Sequence, residues 1–145
     1  MQRYLFISVF VLSCCLAFSQ TNNGEQFEEA LKLKSESKYS ESLSLFKELL
    51  KSDSGNVDYL HNTSFLYTKL GYSQPTETQK INFYKTGEYL AKKAIKTDST
   101  NANAHYTYAM ALGRLNENAG NKQKIPNAKL IKTECEDALK YDTQL

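Results

Sequence analysis

Little in this chain of 145 residues resembles the parts of an active site. It has two histidines, three cysteines and no tryptophan. There is no Gly-rich phosphate loop, no Gly-x-Ser-x-Gly elbow and no paired-carboxylate motif, so nothing supports nucleotide chemistry, nucleophilic hydrolysis or acid–base work on a glycoside. A small hydrolase therefore has no residue constellation behind it, and no cofactor or metal is expected. Charge is nearly balanced, with 18 basic against 16 acidic residues. That gives no reason to expect nucleic acid or an anionic membrane as partner. Period-2 alternation is missing, and glycine and proline mark junctions between apolar-periodic stretches, which argues against strands.

Only one long hydrophobic run exists, and it lies at the start. Met1 to Arg3 is a short basic segment, Tyr4 to Leu16 is apolar, and Ala17-Phe18-Ser19 places small residues before Gln20. This is the anatomy of a secretory signal peptide over 1–19, with the mature chain starting at Gln20. The run is short for a membrane span, which needs about 20 residues. A buried N-terminal helix is the plain alternative, and lipid attachment at Cys14, after Val11-Leu12-Ser13, is another. The expected location is periplasmic or secreted. Cys14 and Cys15 would leave with the leader, so Cys135 becomes the only thiol and no internal disulfide can form. A domain of this size must then hold itself by packing.

What the chain does have is repetition. The stretches from Tyr39 to Asn56, from Tyr84 to Asn101 and from Ala128 to Leu145 superpose, with Leu49, Ala94 and Ala138 in equivalent positions 45 and 44 residues apart. A period of about 20–50 residues marks stacked supersecondary units. The spacing predicts three helical hairpins, at about 23–56, 57–101 and 102–145. In the first, Asn23 and Gln26 suggest a capping box ahead of Phe27, Ala30 and Leu31, and Ser35 to Lys38 makes the turn. In the second, Gly71 closes the first helix as a C-terminal cap, and Thr76-x-x-Gln79 restarts the chain. About eleven extra residues lie around 73–83. In the third, Asn116 to Lys124 is a polar connector and Pro126 sits in the first turn of the closing helix.

The second helix of each unit carries a small-bulky-Ala pattern closing on Asp. It reads Ser42, Phe46, Leu49 and Asp53, then Gly87, Ala91, Ala94 and Asp98, then Ile131, Cys135, Ala138 and Asp142. This resembles the tetratricopeptide repeat, with Ser or Thr in place of the usual proline after Asp. The resemblance implies an all-α, helical-hairpin solenoid. Gly113-Arg114, Gly120, Lys122, Lys124-Ile125 and Glu136-Asp137-Ala138-Leu139 narrow it, over about 57–142, to the regulator of microtubule dynamics family, here as an exported bacterial homologue. An export signal is at odds with a role on microtubules, so the resemblance implies a fold and not a partner.

Arrays of this kind are usually surfaces for holding proteins. The first helix of each tetratricopeptide unit lines the concave face, which implies a partner-binding groove of His61, Phe65, Thr68 and Lys69 with Tyr106, Met110 and Arg114. Unit one would add Phe27, Leu31 and Lys34, although Phe27, Leu31 and Phe65 would serve equally to close a core. Lys69 and Arg114 would orient a peptide through its carboxylates or terminus. His61 and His105 read as surface or groove residues, and Cys135 as a small buried hydrophobe. The ten tyrosines suit a recognition surface. The expected function is a non-catalytic, exported protein-binding or scaffold module. The alternative is an assembly subunit of a cell-envelope complex. Ile131, Cys135, Ala138 and Leu139 have no later helix to cover them, so self-association through the last helix is also expected.

Overall fold

The structure, a computed structural model, describes residues 23–143, and every regular element among them is an α-helix. The leader, its cleavage site and Cys14 lie outside the described residues. Six helices follow one another: α1 over 23–35, α2 Tyr39–Ser52, α3 Val57–Tyr72, α4 Glu77–Thr97, α5 Ala102–Glu117 and α6 Asn121–Tyr141. None of them is long and apolar enough to cross a membrane.

Local chemistry sets most of the boundaries. The side chains of Asn56, Thr76 and Asn101 accept from the backbone N–H three residues on, opening α3, α4 and α5. Each such cap satisfies a donor the helix leaves unpaired, and is worth about 1 kcal/mol. The Thr76 hydroxyl also donates to Gln79 Oε1 at 2.8 Å, which completes the capping pair. At the other end, α2, α4 and α6 each stop on an extended aspartate. The N–H groups of Asp53, Asp98 and Asp142 close onto the carbonyls of Leu49, Ala94 and Ala138. These are the three equivalent positions of the sequence repeat. Between α1 and α2, Ser37 takes a left-handed conformation, φ 61°, while Lys38 N–H reaches back to Leu33 O at 2.9 Å. That is a helix-terminating turn normally given to glycine.

Four local expectations change. Asn23 is already helical, and its amide donates to Ser52 Oγ at 3.2 Å instead of capping α1. Gly71 lies inside α3, which runs on to Tyr72, and no glycine among the described residues has a positive φ. Its value is space: a Cβ there would lie 2.5 Å from the Tyr84 ring. The connector after α5 is also shorter than expected, because Gly120 caps a helix that starts at Asn121. Pro126 therefore lies inside α6, one turn beyond the position where its missing N–H is harmless. The extra residues of the second hairpin lengthen α4, as the apolar spacing from Ile81 to Ile95 leads one to expect.

Each helix from α2 onward packs on the next, and α3 also packs on α5. The buried side chains form three clusters in chain order. Ala30, Leu43, Phe46, Leu49 and Leu66 make the first; Leu60, Ala94 and Ala104 the second; Ala91, Tyr108 and Leu112 the third. Phe46 is fully buried and meets Phe27 edge-on at 5.9 Å. Burial of a phenylalanine contributes about 2–3 kcal/mol. Phe27 and Leu31 are partly buried against this first cluster. The close approach of α3 to α4 depends on Gly87, whose carbonyl accepts from Ser64 Oγ at 2.8 Å. The pair α5 and α6 buries fewer side chains on its second helix. Ala138 is buried and Ile131 joins the third cluster, but Leu139 is half exposed and Cys135 is exposed. The expectation of a buried Cys135 fails because its side of α6 has no helix against it among the described residues.

Candidate functional site: the cleft between α3 and α5

On α3, Phe65, Lys69 and Tyr72 follow one another at helical spacing along one face. On α5, Tyr106, Met110 and Arg114 do the same. The packing of α3 on α5 brings part of these two rows together. A cleft of about 310 Å³ is lined by Tyr39, Thr68, Lys69, Tyr72, Met110 and Arg114. Lys69, Met110 and Arg114 thus meet there, together with Thr68. Tyr106 is 42 % exposed but stands outside the lining. Phe65 adjoins the cleft, its ring meeting the edge of Tyr39 at 6.2 Å. Tyr39 and Tyr72 are lining residues that the repeat frame did not single out. Tyr39 opens α2, and Tyr72 is the last residue of α3, where a helix A template has already ended.

The cations of this face are held in defined positions. Arg114 Nη1 donates to Glu117 Oε1 at 2.8 Å, and its guanidinium lies 5.7 Å from the centroid of Tyr72. Lys34, in the last turn of α1, donates to Asn62 Oδ1 at 2.6 Å and sits 4.6 Å from the Phe65 centroid. Burial lowers the Lys34 pKa, since a desolvated ammonium loses the water that stabilises its charge. Lys69 lies 5.3 Å from the same ring.

Both histidines depart from the surface reading. His61 is 7 % exposed, with Nε2 3.2 Å from Asp58 Oδ1 on its own helix. Burial lowers its pKa, outweighing the opposing pull of Asp58. It lies beneath the face and does not line the cleft. His105 is 5 % exposed and joins α5 to α6, with Nδ1 2.7 Å from Glu134 Oε2 and Nε2 3.0 Å from the Ser99 carbonyl. Both ring nitrogens face oxygen acceptors, so the imidazolium form satisfies both bonds at once. Burial pulls its pKa down, but the Ser99 carbonyl and the Glu134 carboxylate together raise it. Each histidine is thus engaged separately, and among the described residues no cluster of three His, Cys, Asp or Glu is placed to hold a metal ion.

The family model described as Regulator of microtubule dynamics protein 1-3 matches residues 25–145. The chain belongs to that family. No curated protein matches it. In this family member the residues that carried the resemblance fall at the α5–α6 junction and in the last turns of α6. Gly113 and Arg114 sit near the end of α5, Gly120 caps α6, and Lys122, Lys124 and Ile125 occupy its exposed first turns. Of the segment from Glu136 to Leu139, Ala138 alone is buried. Only Arg114 of this set reaches the cleft.

Proposed function

We propose that this protein is an exported, non-catalytic module of three tetratricopeptide-like hairpins that holds a protein or peptide partner on the face shared by α3 and α5. One observation carries the reading. Two tyrosines, a methionine, a lysine and an arginine converge on one cleft. Aromatic and arginine side chains dominate recognition surfaces, because they combine large contact area with a polar handle. Export is supported by the apolar run ending in Ala17-Phe18-Ser19.

The reading is tested by site-specific photo-crosslinking in the producing cell. A photoreactive residue at Met110 should capture a partner, and one at Tyr89 on the solvent face of α4 should not. Arg114→Ala and Tyr106→Ala should weaken capture by about 1–3 kcal/mol, the range of hot-spot truncations. Melting should stay within a few degrees, because both side chains are substantially exposed. Equal crosslinking at Met110 and Tyr89 would refute the assignment.

A second reading, an assembly subunit of an envelope complex, is favoured by α6. Ile125 is 68 % exposed, Leu139 is 50 % exposed, and Cys135 is exposed on the same helix. Under that reading the protein would purify only with its complex, and crosslinks would come from α6.

A further inference from the structure

We propose that the strip running from Lys34 through Phe65 and Lys69 to Arg114 takes an acidic, extended segment of a partner protein, with aspartate or glutamate side chains paired to its cations. The proposal rests on the partner-binding reading above and names the chemistry of the partner.

The argument begins with Lys34. Its ammonium is half-buried, yet its observed hydrogen-bond partner is the neutral amide of Asn62. That amide is a fixed part of the fold: Asn62 is 3 % exposed, and its Nδ2 donates to the Asp58 carbonyl at 2.8 Å. Lys34 is therefore held in place by a buried side chain instead of being left free to seek water. Phe65 backs it, and Lys69 comes over the same ring. The ion pairs among the described residues involve Lys32, Lys38, Lys51, Lys80, Lys92 and Lys132, and neither Lys34 nor Lys69.

A desolvated ammonium such as Lys34, without a carboxylate partner, is costly. The nearby acids do not offset this. Asp58 faces His61, and Glu117 is engaged by Arg114. A carboxylate reaching Lys34 or Lys69 would neutralise a cation that has no acidic partner among the described residues and meet a donor already in position. That is the arrangement in which charge-assisted hydrogen bonds are strongest. The Phe65 ring adds cation–π attraction to each of them, which holds the cations on the strip before anything binds.

The cations also indicate the form of the ligand. They come from α1, α3 and α5, with Tyr39, Phe65 and Tyr72 among them, so a single small anion can satisfy only part of the set. A chain that alternates carboxylates with apolar side chains can meet all of it, and the 310 Å³ cleft accommodates side chains rather than a folded surface. The near balance of charge over the whole protein disfavours a polyanion such as nucleic acid, which needs a broad basic field.

The test uses an arrayed library of acidic octapeptides, acetylated and amidated, and the same library with each Asp and Glu replaced by Asn and Gln. Binding of the full protein is read by fluorescence polarisation. Acidic members should bind at least about tenfold more tightly than their amide counterparts and weaken as salt rises. Lys34→Met and Lys69→Met should each remove about tenfold from the acidic series and leave the amide series unchanged. Lys69 is exposed, so its variant keeps the test valid even where Lys34→Met perturbs folding. In parallel, an NMR titration of the Lys34 side chain should show its pKa rising when an acidic peptide is added.

Equal affinity for the two libraries, with both lost on Arg114→Ala, would overturn the acidic-segment proposal while leaving the partner-binding face intact. Binding only by versions with a free C-terminus would overturn it in favour of terminal-carboxylate capture. Absence of binding by either library would remove both readings.

Discussion

Gly87 and Gly113 both lie inside helices, and the same Gly→Ala substitution should have opposite signs at the two positions. Alanine is favoured over glycine in a helix by about 1 kcal/mol, because glycine has more backbone freedom to lose. At Gly113 a new Cβ meets nothing within 4 Å, so that gain should appear almost undiminished. At Gly87 the Cβ would lie 2.5 Å from Thr68 Oγ1 and 3.1 Å from the Ser64 carbonyl oxygen. Thr68 can rotate, at the cost of its hydrogen bond to Ser64 O at 3.0 Å. The Ser64 carbonyl is backbone and can only move with α3. Overpacking of this kind costs about 1–3 kcal/mol. Separating the helices also strains the buried bond from Ser64 Oγ to Gly87 O, whose loss costs about 1–3 kcal/mol. After subtracting the helical gain, Gly87→Ala should destabilise by about 1–5 kcal/mol. Urea unfolding followed by circular dichroism measures both variants. A neutral or stabilised Gly87→Ala protein would refute the close-approach argument, and a destabilised Gly113→Ala would show that α5 is not free on that side.

Three further outcomes are expected. Ser37→Gly should raise stability by about 0.5–1 kcal/mol, because a left-handed residue with a Cβ is strained at φ 61°; unchanged melting would count against the turn geometry. The raised pKa of His105 gives a contribution to stability that is fully present below its unfolded value and lost as pH rises through its folded value. Wild type should therefore exceed Glu134→Gln in stability by more at pH 6 than at pH 8.5, and an advantage that grows with pH would contradict the imidazolium assignment. Cys135, being exposed, should react with a thiol reagent in the native protein at a rate close to that of the unfolded chain; protection by more than about a hundredfold would place it in a buried contact.

The sequence was most legible where structure is decided within a few residues. Thr76 announces the start of α4, because a short polar side chain three residues ahead of an N–H has few other uses; Asn56 and Asn101 cap α3 and α5 alike, where the repeat gives only unit boundaries. Asp53, Asp98 and Asp142 mark the ends, closing each helix through a backbone N–H. The buried row of Ser42, Phe46 and Leu49 and that of Gly87, Ala91 and Ala94 followed from helical spacing. Legibility failed where the deciding neighbour is distant. Gly71 has the composition of a cap, but it is small because Tyr84 of the next helix lies against it. His105 finds Glu134 29 residues away, a pairing no local window contains. Cys135 occupies a core position of the repeat frame and is exposed, because burial depends on a neighbouring helix and not on position within its own. In the cleft, Lys69, Met110 and Arg114 were readable from the frame. Tyr39 and Tyr72 join them through interhelical geometry, which no single helix encodes.

The three buried clusters, strung in chain order, affect how the protein comes apart. Each cluster is built mainly from helices adjacent in sequence, so contact order is low and folding is expected to be fast. Opening free energies should then be graded rather than uniform. The first two clusters hold side chains sealed at zero exposure, Phe46, Leu49, Leu60 and Ala94 among them, and should be the most protected. Helix α6 buries only Ala138 and adds Ile131, the His105–Glu134 pair and the contact of Tyr141 with His105. Amide exchange would accordingly run as a gradient along the chain. Opening of α6 is then expected at a lower free energy than opening of the cleft formed by α3 and α5.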